Sequence, residues 1–205
     1  GSGIVPSYTT NGDGLSDDIL VATKTYCGAM AVSLYEPYMG YEDILERIHS
    51  MGIKCNAHVI LKTDTIDMLT DWFINPPIFF QWINAVVVLN YKPIISDSSF
   101  IVKDKLKLQQ FYEAVSMCNA VKIGFDSCSV PGIVSWMNVN SALIEPCESA
   151  RFSAFISEDL KMYPCSFMAN TNLFGDLSSQ SLADIWCNHP AFVAHREKIK
   201  NNHCL

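Results

Sequence analysis

Apolar and polar residues alternate in two recurring patterns along the first two-thirds of the chain. Short runs that are apolar almost throughout, such as 27–35 and 83–90, are typical of strands buried on both faces. Between them lie stretches with apolar residues at helical spacing. In the stretch 41–51, for example, Ile44, Leu45 and Ile48 share one face. Repetition of strand and helix predicts parallel βαβ units, and therefore the α/β class.

The predicted elements follow one another with short polar turns between them. The predicted strands are 4–10, 27–35, 53–61, 83–90 and 120–125, and the predicted helices are 15–24, 41–51, 64–73 and 104–118. Ser16 is the expected N-cap of the first helix, because Asp17 and Asp18 behind it suit a first helical turn. Ligands of such folds bind beyond the carboxyl ends of the strands, where the loops carry polar groups.

The pattern changes after Asp126. Segments 151–157 and 162–163 predict a short hairpin around Glu158 and Asp159, and 181–186 and 191–199 predict two small helices. The chain is therefore predicted to contain an α/β domain over 1–126 and a small, cysteine-bearing α+β appendage over 127–205.

Composition excludes several classes of protein. Of the 205 residues, 49% are hydrophobic and 17% are charged, which is the opposite of a disordered chain. The formal net charge of −7 argues against nucleic acid as a partner. No apolar stretch reaches the ~18 residues of a membrane span, so no membrane association is expected. No signal-peptide pattern precedes the first strand, and we predict a cytoplasmic location.

Eight cysteines are the strongest chemical signal in the sequence. Cys147, Cys165 and Cys204 are separated by 18 and 39 residues, which excludes a zinc-finger knuckle. Thiolates so far apart can still converge on an iron–sulfur cluster, or they can be buried thiols that pack as small hydrophobes. The spacing alone leaves both possibilities open.

Motifs in the tail resemble a known auxiliary domain. Cys147 is followed by the hairpin, by Tyr163-Pro164-Cys165, by Gly175-Asp176-Leu177, and by Ser181-Leu182-Ala183-Asp184-Ile185-Trp186. Phe192, Arg196 and Cys204 follow in order. This succession resembles the SPASM or twitch domain that follows the barrel in many radical SAM enzymes. One departure is Leu160, which stands where the family has a hairpin glycine.

The front of the chain resembles the same family. Thr10-Asn11-Gly12 is similar to the third strand of the radical SAM barrel, Val32-Ser33-Leu34 to the fourth, and 52–56 to the entry of the fifth. The resemblance implies a partial parallel (β/α) barrel, with Ser33 and Asn11 as contacts of S-adenosyl-L-methionine (SAM). It departs after Ser33. The family usually has an acidic residue and a glycine there, whereas this chain has Tyr35, Glu36 and Pro37.

The resemblance also implies a function. Such enzymes reduce SAM to a 5′-deoxyadenosyl radical that abstracts hydrogen, and many with this tail act on a peptide or protein. An auxiliary cluster, expected to be [4Fe–4S], would be held by Cys147, Cys165, Cys204 and Cys128. The family's CxxxCxxC motif for the SAM-reducing cluster is not found in this sequence. We therefore expect the chain to be the back half of such an enzyme and to be inactive by itself.

A second hypothesis belongs to a different class. The chain could be a non-enzymatic protein-binding module whose cysteines are buried or hold structural zinc. A partial barrel has open strand edges, so a second copy or a partner chain could complete it.

Overall fold

The computed structural model describes residues 3–35, 40–92, 98–144 and 147–200. The chain divides into two compact units, Gly1–Val139 and Asn140–Leu205. The predicted boundary lay at 126/127, thirteen residues earlier. The intervening segment stays with the first unit because its helix packs closely there: a Cβ at Gly132 would lie 2.5 Å from the Tyr112 hydroxyl.

The first unit is built on one parallel sheet. Its strands are β1 (Ser7–Thr10), β2 (Ala29–Ser33), β3 (Cys55–Leu61), β4 (Ala85–Asn90) and β5 (Lys122–Phe125). They pair in sequence order, and every pair is parallel. This sequential order is that of a barrel segment, whereas a doubly wound sheet reverses its strand order. The predicted parallel α/β class is confirmed.

Helices connect and cover these strands. They are α1 (Asp17–Tyr26), α2 (Tyr41–Ser50), α3 (Ile66–Ile74), α4 (Lys105–Met117) and α5 (Val130–Trp136). Ser16 caps α1 as predicted, accepting a hydrogen bond from the Ile19 N–H. Asp104 caps α4 through the N–H groups of Leu106 and Lys107. Both caps fill backbone donors that would otherwise lack partners.

The two faces of the sheet differ in burial. Along β3, Cys55 and alternate residues to Leu61 are buried, and they join the core formed with the helices. Asn56 and His58 alternate with them and are half-buried. One face of β3 therefore belongs to the apolar core, and the other carries the half-buried side chains of Asn56, His58 and Ile60.

The second unit is small. It contains β6 (Phe155–Ile156), β7 (Lys161–Tyr163), β8 (Gly175–Asp176), α6 (Leu182–Asn188) and α7 (Pro190–Lys200). The three strands form an antiparallel sheet, so the predicted hairpin is present and β8 extends it. In the described part of this unit, four apolar residues form the buried core: Ala150, Met162, Ile185 and Phe192.

None of the helices in the described ranges is long and apolar enough to cross a membrane.

Candidate functional site

Two hydrogen bonds bring the segments that carry Cys147 and Cys165 together. The Ser149 hydroxyl donates to the carbonyl of Pro164 over 2.6 Å, and the Ala150 N–H donates to the same carbonyl over 3.1 Å. Ser149 is two residues after Cys147, and Pro164 immediately precedes Cys165. The two cysteine segments therefore run side by side.

The backbone around Cys165 leaves β7 through Pro164. Cys165 is extended, and its carbonyl accepts a hydrogen bond from the Met168 N–H that closes a 3₁₀ turn over Ser166–Met168. The Cys147 and Cys165 side chains are both half-buried. Both residues are therefore partly accessible from the solvent.

A buried polar pair lies behind these segments. The Ser149 hydroxyl oxygen lies 2.8 Å from Nε2 of His195 in α7. Ser149 is 6% exposed and His195 is 4% exposed. Burial, and secondarily the nearby Lys198 charge, lower the pKa of His195, so the imidazole is neutral at pH 7.

Arg196 makes a second connection from α7. Its Nε donates to the carbonyl of Ala150 over 2.7 Å, and its guanidinium also bonds the carbonyl of Trp186. The guanidinium lies 5.2 Å from the centre of the Trp186 ring. Arg196 thus connects Trp186 to the segment that follows Cys147, and both residues belong to the motifs of the sequence resemblance.

Among the residues of this unit that the structure describes, two other than glycine adopt left-handed backbone conformations. Ala150 has φ of 57° and Leu160 has φ of 61°. At Leu160, the turn closes through a hydrogen bond from its N–H to the carbonyl of Ser157. The position where the family has glycine is therefore one that requires a glycine-like backbone.

The four predicted ligands differ in where they lie in the chain. Cys147 and Cys165 belong to the second unit and Cys128 to the first, while Cys204 and the neighbouring His203 lie outside the described residues. Within the described ranges, no three His, Cys, Asp or Glu side chains form a group arranged to hold a metal ion. No disulfide joins any two of the seven cysteines that the structure describes.

The donor chemistry nevertheless suits an iron–sulfur cluster. Cys147 and Cys165 are thiols on adjoining segments, and thiolate sulfur is the usual ligand of such clusters. With Cys204 as a further donor, the set would contain sulfur ligands only. Harder cations prefer oxygen ligands, so the set does not suit them.

The predicted SAM contacts lie on the first unit. Ser33 is the last residue of β2, and it pairs in register with His58 of β3. Asn11 follows β1, and its side chain is used in a turn: its amide donates to the Asp13 carboxylate over 2.9 Å and its oxygen accepts from the Asp13 N–H. Glu36 and Pro37 lie outside the described residues. The register of His58 beside Ser33 emerges only from the pairing of the strands.

A polar cluster lies where β4 and β5 end. Lys92 forms an ion pair with Asp126 at 3.0 Å, and Asp126 also accepts hydrogen bonds from the Ser129 hydroxyl at 2.5 Å and the Asn90 N–H at 3.3 Å. Burial acts to lower the pKa of Lys92, but hydrogen bonds to Cys128 and Asp126 outweigh it, and the pKa is raised. Lys92 therefore remains charged at neutral pH.

A cavity of about 280 Å³ adjoins this cluster. Leu61, Asn90 and Cys128 line it at the strand ends, and Tyr112 and Trp136 line it from α4 and α5. Its position agrees with the rule that ligands of parallel sheets bind beyond the carboxyl ends of the strands. Cys128 thus lies at a cavity of the first unit, a setting that sequence spacing did not reveal.

The remaining cysteines have different surroundings. Cys55 is buried in the core, where burial raises the pKa of its thiol to about 12 despite a backbone hydrogen bond that acts in the opposite direction. Cys27 and Cys118 are half-buried, and Cys187 is exposed. In this environment Cys55 packs as a small hydrophobic side chain.

Comparison by sequence identifies the tail. Residues 147–205 match the family model of SPASM, described as an iron–sulfur cluster-binding domain. The match begins at Cys147 and includes Cys165 and Cys204. No curated protein matches the chain.

Comparison by structure identifies the fold of nearly the whole chain. The structure of Streptococcus suis SuiB bound to S-adenosylmethionine aligns with a TM-score of 0.69 at 15% identity, covering 94% of this chain and 50% of that one. SuiB without a named ligand aligns at 0.66 and 15%, covering 95% and 51%. SuiB bound to the precursor peptide SuiA aligns with a TM-score of 0.66 at 15% identity, covering 94% of this chain and 50% of that one.

These comparisons confirm the resemblance that the sequence motifs indicated. The SPASM match covers the cysteine-bearing tail, and nearly the whole chain has a fold like that of SuiB. The chain spans about half the length of the SuiB chains that it matches.

Proposed function

We propose that this chain is the C-terminal portion of a radical SAM enzyme that modifies a peptide or protein, and that its second unit binds an auxiliary iron–sulfur cluster. One observation carries the proposal. The segment that matches the SPASM domain begins at Cys147, and hydrogen bonds to Pro164 bring that segment beside Cys165. Two cysteines 18 positions apart in the sequence thus lie on adjoining segments.

The auxiliary cluster is the part of the proposal that this chain can test. Cys147, Cys165 and Cys204 are the proposed ligands, and a [4Fe–4S] cluster is the proposed type. Cys128 stays a sequence prediction as an additional ligand. When bound, such a cluster would relay electrons or hold a substrate group at an open iron.

The first unit supplies the proposed SAM contacts. Ser33 and Asn11 lie at or just beyond the ends of β2 and β1, on the side of the sheet where ligands of parallel folds bind. Bound SAM would supply, on one-electron reduction, the 5′-deoxyadenosyl radical that takes a hydrogen atom from the substrate. The role of Ser33 and Asn11 would be to orient SAM through their hydroxyl and amide groups.

A peptide is the proposed substrate class because a neighbour in fold was solved with one. SuiB was solved bound to the precursor peptide SuiA. The carry-over to this chain rests on the shared fold and on the SPASM match together.

The sequence lacks the CxxxCxxC spacing, so we expect these 205 residues alone not to cleave SAM. In the described part of the sheet, β1 and β5 pair on one side only. Ile4 and Val5, which precede β1, are 79% and 66% exposed. We propose that further barrel strands, from the rest of the protein or from a partner chain, pair with the free edge of β1.

The proposal is tested by anaerobic reconstitution of the chain with iron and sulfide. We expect iron and sulfide to be incorporated, with a broad visible charge-transfer band. Replacing both Cys147 and Cys165 with alanine should abolish that band, because two of the three proposed ligands are lost. The matched control is Cys187→Ala, which removes an exposed thiol of the same unit and should keep the band.

Two results would contradict the proposal. The double variant could retain iron at the wild-type level, which would exclude these ligands. Alternatively, the wild-type chain could take up one zinc and no iron, which would favour the non-enzymatic module with a structural metal.

A further inference from the structure

We propose that His195 is a positioning residue for the cluster-binding segments, acting through the Ser149 hydroxyl. This inference rests on the proposed function, because it concerns how the Cys147 and Cys165 segments are held for a cluster. Neither Ser149 nor His195 was singled out by the sequence motifs or the family resemblance.

The direction of the hydrogen bonds follows from counting hydrogens. The Ser149 hydroxyl has one hydrogen, and it donates that hydrogen to the Pro164 carbonyl, which can only accept. The contact between Ser149 Oγ and His195 Nε2 must therefore be donated by the imidazole N–H. His195 thus orients the Ser149 hydroxyl by donating a hydrogen bond to its oxygen, and the hydroxyl in turn holds the Pro164 carbonyl.

Because Ser149 and His195 are buried, the arrangement that keeps both of their hydrogen bonds is strongly favoured. Both side chains are more than nine-tenths buried, so water has little access to replace a lost partner. A buried hydroxyl or imidazole without its partner is costly, and the arrangement that satisfies both is favoured over alternatives. The loop therefore has one strongly preferred position relative to α7.

The position of Ser149 and Pro164 determines where the sulfur atoms of Cys147 and Cys165 lie. Ser149 lies two residues beyond Cys147, and Pro164 is bonded covalently to Cys165. Arg196 holds the next residue, Ala150, through its carbonyl, and Ala150 has the left-handed φ of 57°. Consecutive residues of α7 thus fix consecutive residues of the Cys147 segment.

The role resembles that of side chains around other metal sites, which orient the ligands without touching the metal. Loss of such a group typically lowers metal affinity by roughly 10- to 100-fold. A cluster held by fewer well-placed thiolates should also exchange iron faster and show an altered electronic structure.

The test compares His195→Phe and His195→Gln in the full 205-residue chain after anaerobic reconstitution. Phenylalanine retains an aromatic ring but has no donor, whereas the glutamine amide can donate to Ser149. For His195→Phe we expect iron loss to a chelator to accelerate by about tenfold, with changed electron paramagnetic resonance of the reduced cluster. His195→Gln should restore both properties towards wild type. Val193→Ala, an exposed change on the same helix, is the control.

A second pair of variants covers the case in which His195→Phe does not fold. Ser149→Ala removes only the hydroxyl, and Ser149→Thr retains it; the first should reproduce the faster iron loss and the second should not. A merely structural role would lower the melting temperature without altering the spectrum of the cluster in the folded fraction.

The two proposals fail differently. If wild type binds a cluster and neither His195→Phe nor Ser149→Ala changes its spectrum or its iron loss, the positioning role is overturned and the proposed function stands. If wild type binds no iron, the proposed function is overturned and the positioning role with it.

Discussion

The two units are stabilised by different means. In the first, a continuous apolar core joins the sheet to the helices and includes large buried side chains such as Phe111, Leu69 and Ile48. In the second, the buried apolar cluster of the described residues has four members, with Leu177 and Trp186 packed against it, and the bonds of Ser149, His195 and Arg196 connect the segments around it. A small unit with so little apolar burial depends on specific polar bonds and, in many proteins, on a bound metal.

This difference fits the position of Cys147 and Cys165 in the smaller unit. A large apolar core fixes its loops by packing from many directions. Where the core is small, a few hydrogen bonds determine the position of a loop, and a metal cluster can share that task. Metal binding and folding are then coupled.

The largest expected effect is that of removing Phe192, the largest member of the small core. Phe192→Ala should cost about 3–5 kcal/mol, enough to unfold the second unit. Amide hydrogen exchange should then become fast in α6 and α7 and stay slow in β3. Leu69→Ala in α3 is the control: it should loosen the first unit and spare the second. Protection retained in α6 and α7 of Phe192→Ala would show that the second unit does not depend on its core.

A smaller effect is expected from adding one methyl group to each unit. A Cβ at Gly175 would lie 2.5 Å from the buried side chain of Ile185, so Gly175→Ala should destabilise by about 1–3 kcal/mol. Gly132→Ala meets only the far end of the Tyr112 side chain, beside the cavity, and gains helix propensity in α5. It should be close to neutral. Equal losses of the free energy of unfolding in urea would contradict the expectation that only the methyl group at Gly175 meets a side chain that cannot move away.

The smallest expected effect is a stabilisation. Leu160 is 51% exposed and left-handed, so Leu160→Gly should relieve backbone strain and raise the free energy of unfolding by about 0.5–1 kcal/mol. Leu173 is also 51% exposed but is not among the residues with positive φ. Leu173→Gly should therefore destabilise, because only the entropy cost of glycine remains. Thermal melts of the two variants test this: the melting temperature should rise for Leu160→Gly and fall for Leu173→Gly.

Much of the first unit could be predicted because its signals are local. Apolar runs located β2, β3 and β4, and Ser16 marked the start of α1. The sequence did not predict α5 or the 3₁₀ helix Ile78–Trp82. Both are short, and contacts with distant elements stabilise them, as the close approach of Gly132 to Tyr112 shows.

For the candidate site, the sequence by itself determined which residue types are available: thiols at Cys147 and Cys165, and motifs whose order indicated the SPASM domain. Only the tertiary structure decided that Pro164 accepts from Ser149 and that His195 supports that hydroxyl. The physical reason is separation along the chain. Ser149 and His195 are 46 residues apart, and a hydrogen bond between such residues leaves no periodicity or spacing in the sequence, because folding alone brings them together.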